Sequence, residues 1–175
     1  MKLKKNHIII GGTILCIAAV YGAVLPTKAR PFDERTEKVL SELEPATALK
    51  ARRFLDAARK AGIDLRAISG RRTCAQQDQL YAQGRTAPGN IVTKARCGQS
   101  AHNYGLAIDV VEFINGVPAW DSPNWEVIGR LGEGEGFEWG GRWKRFVDKP
   151  HFQDLGNHTI SSLYQNYQRT GLLLA

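Results

Sequence analysis

Cysteine is scarce in this chain: Cys16, Cys74 and Cys97 are the only three among 175 residues, and no two form a C-x-x-C pair. A thiolate zinc finger or ribbon is thereby excluded, because such sites need closely paired cysteines. Cys74 and Cys97 could still form a disulfide in an oxidising compartment, closing a loop worth about 3 kcal/mol in the chain-entropy model. Two buried free thiols are the alternative, and Cys16, inside an apolar stretch, reads as a small hydrophobe. There is no internal repeat, which excludes a solenoid or propeller, and no low-complexity tract. No Lys/Arg run interleaves with aromatics, so nucleic acid is not an expected partner despite a net charge of +7. That charge instead suits an anionic lipid surface or an acidic wall polymer. With 43% hydrophobic and 23% charged residues, the chain has the balance of one globular domain plus an appendage, expected as a monomer.

The appendage is N-terminal. Met1-Lys2-Leu3-Lys4-Lys5 is basic, His7 to Leu25 is uncharged and mostly apolar, and Lys28 and Arg30 follow. That stretch lies near the lower length limit for a membrane-spanning helix. By the positive-inside tendency, the lysines stay cytoplasmic and the body is exported. Residues 1–27 are therefore expected to be a signal anchor or signal peptide. Thr27-Lys28-Ala29 is a poor cleavage site, which favours the anchor. The expected location is the inner membrane, single-pass with the body periplasmic, or the periplasm after release.

The body divides into a linker with a first helix (28–46) and a main domain (47–175). Thr36 is a candidate cap for a helix carrying Val39, Leu40 and Leu43. Ala51, Phe54, Leu55 and Ala58 mark a second helix over 47–61, ended by Gly62. A strand is expected over 64–69, a helix over 74–83, and a loop over 85–99. Leu106 to Phe113 reads as a central strand, followed by an Asn115-Gly116 hairpin turn. Ser122-Pro123 introduces a helix over 125–131. Short strands at 137–139 and 150–155 and a helix over 160–169 complete an α+β fold, a small antiparallel sheet flanked by helices.

Two stretches carry the chemistry: Ser100-Ala101-His102-Asn103-Tyr104-Gly105-Leu106-Ala107-Ile108-Asp109, and Asp148-Lys149-Pro150-His151-Phe152. A carboxylate flanked by Ile108 and Val110 in an apolar strand is costly unless paired or metal-bound. Of the four histidines, His7 sits in the N-terminal segment and His158 follows Gly156-Asn157 in a surface turn. His102, Asp109 and His151 are thus the candidate ligands of a catalytic zinc, which needs three N/O donors and a nearby base. Asp148 is the candidate base and Glu138 its competitor. Asp148 and His151 are three residues apart, so a turn must intervene for both to face one site. Arg71 and Arg72 follow the first strand; one is expected to turn inward as a guanidinium clamp for an oxyanion or substrate carboxylate.

The spacing Ser100-x-His102-x-x-Gly105-x-Ala107-x-Asp109, with Asp148-x-Pro150-His151-Phe152, resembles the zinc D-Ala-D-Ala carboxypeptidase / L-alanyl-D-glutamate endopeptidase family of cell-wall peptidases. Ser69-Gly70-Arg71-Arg72-Thr73 and Gln77-x-x-Leu80-Tyr81-Ala82-Gln83-Gly84 are similar to its upstream block. Glu138-Trp139-Gly140-Gly141-x-Trp143 is similar to the endolysin-like branch that cleaves L-Ala–D-Glu. The resemblance implies zinc on His102, Asp109 and His151, Asp148 as base, and Arg72 as clamp, with Gln77 and Ser100 as further site residues. It implies hydrolysis of peptidoglycan stem peptides. A D-Ala-D-Ala carboxypeptidase or dipeptidase is the alternative bond specificity, and a non-catalytic zinc-containing wall-binding module the alternative of another class.

Overall fold

The computed structural model describes residues 31–174, so the expectations for residues 1–27, including His7 and Cys16, lie outside the described residues. The expected single-pass inner-membrane protein is corrected on this point: among the described residues no helix is long and apolar enough to cross a membrane.

Helix α1 (Glu34–Ser41) is capped by Asp33, whose side chain accepts from the Thr36 backbone N–H. Thr36, the expected cap, sits inside the helix instead. It is buried, and its hydroxyl donates to Asp33 and accepts from the Ala67 N–H at 3.1 Å. Helix α2 (Pro45–Lys60) starts with proline in its first turn, where no N–H is needed, under a Glu44 cap. It buries Ala51, Phe54, Leu55 and Ala58 along the stripe its spacing dictates. Strand β1 (Leu65–Ser69) leads to helix α3 (Cys74–Ala82), which opens with a reciprocal Thr73/Gln76 capping box. A 3₁₀ turn, Ala101–Tyr104, precedes β2 (Ala107–Ile114).

Asn115 (φ 52°) and Gly116 (φ 78°) form the tight turn from β2 into β3 (Val117–Ala119). Helix α4 (Trp125–Gly134) begins after Asn124. Ser122 does not cap it; Ser122 and Asn124 both donate to the buried Glu112 carboxylate. Strands β4 (Glu138–Trp139) and β5 (His151–Gln153) and helix α5 (Ile160–Thr170) follow. The α+β expectation holds: the sheet runs β1-β2-β5-β4, with β3 also paired to β2, and every pairing is antiparallel.

The core lies between this sheet and helices α1, α2 and α4, around Phe54, Ile108, Ile128, Trp139 and Phe152. Burying each of these side chains contributes roughly 1.5–3 kcal/mol. Helix α4 approaches the aromatics through glycines. A Cβ on Gly129 would lie 2.2 Å from the Trp139 ring, and one on Gly132 would lie 2.4 Å from Phe152. A second cluster, Tyr104, Leu106 and Leu163, fixes α5 beside the 3₁₀ turn. Both clusters hold β2 and the turn that precedes it, which is where the chemistry converges.

Candidate metal centre

The sheet register assembles the site. Asp109 on β2 pairs with His151 on β5 and, across its other edge, with Ser69 on β1. A register irregularity between Ala67 and Ser69 ends β1 and leads the chain toward Arg72. The Arg72 N–H then donates to the His102 carbonyl at 3.0 Å, and Asn103 Nδ2 donates to the Arg72 carbonyl. Strand pairing and this short bracing bring four residues together from four places in the sequence.

His102, Asp109 and His151 offer three ligand atoms within 4.8 Å of one another. His102 Nε2 lies 3.1 Å from His151 Nδ1, and Asp109 Oδ1 lies 3.1 and 3.2 Å from those two nitrogens. The far side of each ring has an oxygen partner. His102 Nδ1 is 2.7 Å from the Gly70 carbonyl, and His151 Nε2 is 3.1 Å from Gln153 Oε1. Those oxygens only accept, so both outer ring nitrogens carry hydrogen. The two inner nitrogens then turn lone pairs toward each other and toward a carboxylate. Two imidazoles and one carboxylate, each oriented by an outer hydrogen bond, fit zinc.

Electrostatics agree. Burial pushes His102 below its ordinary pKa and keeps it neutral. Burial opposes ionisation of Asp109, but His102 and His151 hold its carboxyl well below the usual range. Burial also opposes charge on His151, yet the Asp109 carboxylate facing Nδ1 would stabilise a proton there and raises its pKa. The cluster thus draws positive charge into the space between the three atoms.

Arg72, of the two candidate arginines, turns inward. Its Nη2 donates to Asp109 Oδ2 and its Nε to Ser69 Oγ. Among the described residues Nη1 makes no hydrogen bond, and Arg72 lines the cleft above the cluster. Arg71 is exposed and donates to the Tyr104 carbonyl. Asp148 lines the same cleft, just before the turn that its spacing from His151 demands; the His151 N–H donates to the Asp148 carbonyl at 3.2 Å. Gly140 secures that turn, because its carbonyl accepts the Asp148 N–H and a Cβ there would lie 2.5 Å from the Asp148 oxygen. The Asp148 carboxylate makes no hydrogen bond or ion pair with the described residues. Desolvation and the nearby Asp109 raise its pKa.

Glu138 is not free in this way. Its Oε1 accepts from Trp143 Nε1 at 2.6 Å and its Oε2 from Gln153 Nε2 at 2.8 Å. Ser100 caps the 3₁₀ turn and lines the cleft. Gln77 is buried away from the cleft lining and donates to the Ala95 carbonyl, anchoring the loop that walls the cleft. Cys74 and Cys97 are joined as a disulfide, at the start of α3 and near the end of that loop. Gln153 escapes the motif reading; its position two residues after His151 on one strand face was the available signal.

The cleft, about 770 Å³, is rimmed by the exposed Val92, Trp120 and Phe146, with Lys94 in its wall. Two family models, each described as D-alanyl-D-alanine carboxypeptidase, match residues 93–154 and 40–121; the second is the VanY family. The peptidoglycan L-alanyl-D-glutamate endopeptidase CwlK of Bacillus subtilis (strain 168) is 43% identical over 129 residues, 68% of this chain and 77% of the relative.

The chain belongs to the VanY-type peptidase family.

The resemblance read from the motifs is thereby upheld. The crystal structure of the Serratia marcescens L-Ala D-Glu endopeptidase ChiX superposes with a TM-score of 0.55 at 27% identity, covering 70% of this chain and 87% of ChiX. The VanYB structure, at 17% identity and a TM-score of 0.51, covers 74% of this chain and 84% of its own and shares the fold. Within the family, the two matched segments together span the arginine block, both histidines and both aspartates of the cleft.

Proposed function

We propose that this chain is a zinc-dependent peptidoglycan peptidase that hydrolyses the L-alanyl-D-glutamate bond of stem peptides. The observation that carries the chemistry is the convergence of His102, Asp109 and His151 beside an uncommitted Asp148. Kinship with CwlK supports the bond assignment. Zinc held by the three ligands would supply a Lewis acid and lower the pKa of a water. Asp148 takes the proton from that water and returns it to the leaving amine; its raised pKa suits both transfers. Arg72 holds Asp109 in place with one guanidinium nitrogen and offers another to an oxygen of the substrate. Lys94 and Arg72 supply cationic contacts, and Trp120 and Phe146 apolar ones, suited to a peptide bearing carboxylates. We assign residues 47–175 as the peptidase domain, with the 28–46 segment contributing α1.

D-Ala-D-Ala carboxypeptidase activity is the second reading, favoured by the descriptions of the matching family models. Digestion of defined muropeptides, with products read by mass spectrometry, separates the two. A new D-Glu amino terminus, abolished by chelator, supports the endopeptidase. Loss of a terminal D-Ala moves the protein to the carboxypeptidase reading.

A further inference from the structure

Glu138 and Gln153 pair directly across the β4–β5 register, and Gln153 stands two residues from His151 on β5. Their side chains form a chain of bonds with a fixed direction. Trp143 Nε1 donates to Glu138 Oε1, and Gln153 Nε2 donates to Glu138 Oε2. A carboxylate only accepts, so Glu138 takes the amino end of the Gln153 amide. The carbonyl end is then left 3.1 Å from His151 Nε2. A carbonyl also only accepts, so Nε2 carries the hydrogen and Nδ1 keeps its lone pair. Nδ1 is the atom that faces Asp109 and His102. The Trp143 ring packs against the same imidazole, centroid to centroid at 5.1 Å.

We propose that Glu138 is a positioning residue: by orienting the Gln153 amide, it fixes His151 in the tautomer whose Nδ1 can bind a metal ion. This rests on the zinc reading above. Without the carboxylate, the amide can reverse and present its amino group to Nε2. Two hydrogens would then compete for one position, and the ring could bind metal only by breaking that contact. Partners of this kind typically change metal affinity by about 10- to 100-fold. Glu138 is itself exposed, where water can partly replace it, so the lower figure is expected.

The test is zinc affinity of the full chain, measured by competition with a chromophoric chelator, for wild type, Glu138→Gln, Gln153→Glu and the exchanged pair E138Q/Q153E. Glu138→Gln is expected to weaken zinc binding by about tenfold. Its single carbonyl cannot satisfy both Trp143 and Gln153. Gln153→Glu apposes two carboxylates and is expected to weaken binding too. The exchanged pair restores every donor and acceptor, with the carboxylate now accepting from His151, and is expected to bind zinc like wild type. In the zinc-loaded wild type and exchanged pair, the His151 Nε2–H gives a slowly exchanging downfield proton resonance, and in zinc-loaded E138Q the same proton exchanges faster with solvent. Thermal melts of metal-free protein distinguish a folding defect from a loss of affinity, and the exchanged pair carries the test if E138Q does not fold. Wild-type affinity in E138Q, or no recovery in the exchanged pair, overturns the relay. A wild-type chain that takes up no zinc overturns the metal reading instead.

Discussion

Asp109 stands directly opposite His151 in the antiparallel β2–β5 pair, and its Oδ1 lies 3.2 Å from His151 Nδ1. Two residues separated by 42 positions are thus placed by backbone pairing, not by loops. His102 reaches the same point from a 3₁₀ turn braced by the Arg72 N–H. A site carried on strands keeps its geometry without a metal to organise it, so removing zinc should leave the fold intact. Circular dichroism of the chelated protein checks this; the expected spectrum is unchanged, with a lower melting temperature from lost ligand binding.

Asp148→Asn should abolish turnover, by about 10²- to 10⁴-fold for loss of a general base. It should also stabilise the metal-free protein. Burial, and then the nearby Asp109, raise the folded pKa of the Asp148 carboxyl above that of a free aspartate. Its protonated form therefore favours folding. That stability is fully present below the unfolded pKa and is lost as pH rises through the folded one. The asparagine escapes the loss. Melts in chelator should show D148N above wild type at neutral pH, with the gap closing below about pH 4.

Arg72→Lys should not rescue Arg72→Ala. Lysine can reach Ser69 or Asp109, but it lacks the planar fork that bonds both and leaves a third nitrogen for substrate. Both variants should lower kcat/KM by about 10²-fold, while zinc stoichiometry stays at one. Steady-state kinetics beside metal analysis checks the pairing of these results.

Gly129→Ala tests the packing of α4 on the sheet. Alanine gains up to about 1 kcal/mol of helix propensity, but overpacking costs about 1–3 kcal/mol. With the new Cβ built 2.2 Å from a ring atom of buried Trp139, the steric term should win. Denaturant melts should show a loss of about 1–2 kcal/mol, with the chemistry at the cleft retained.

Opening the Cys74–Cys97 bond, which closes 23 positions, should cost about 2–4 kcal/mol. Unfolding C74S/C97S beside the oxidised wild type measures it.

The three candidate ligands that the structure brings together stand out in the sequence because their signals are local: Asp109 interrupts an apolar strand, and His102 and His151 sit in short, specific motifs. The order of the main elements followed from apolar spacing and from turn residues such as Asn115-Gly116. What escaped was cross-strand. Glu138 competes with Asp148 as a base in sequence, whereas in the fold Trp143 and Gln153 occupy its two oxygens. Thr36 suits a helix cap in sequence, but its hydroxyl is bonded between Asp33 and the Ala67 N–H, and Asp33 caps instead. Residues 1–27 lie outside the described residues, and no spanning helix occurs among those described.

On the proposed function, two imidazoles and one carboxylate, from His102, His151 and Asp109, would hold the zinc. X-ray absorption at the zinc edge, on the full chain loaded with one equivalent, tests it most directly. The expected coordination sphere contains nitrogen and oxygen only, with two imidazole scattering patterns, lost on Asp109→Ala or His151→Ala. A sulfur-containing shell, or one that survives both substitutions, would contradict it.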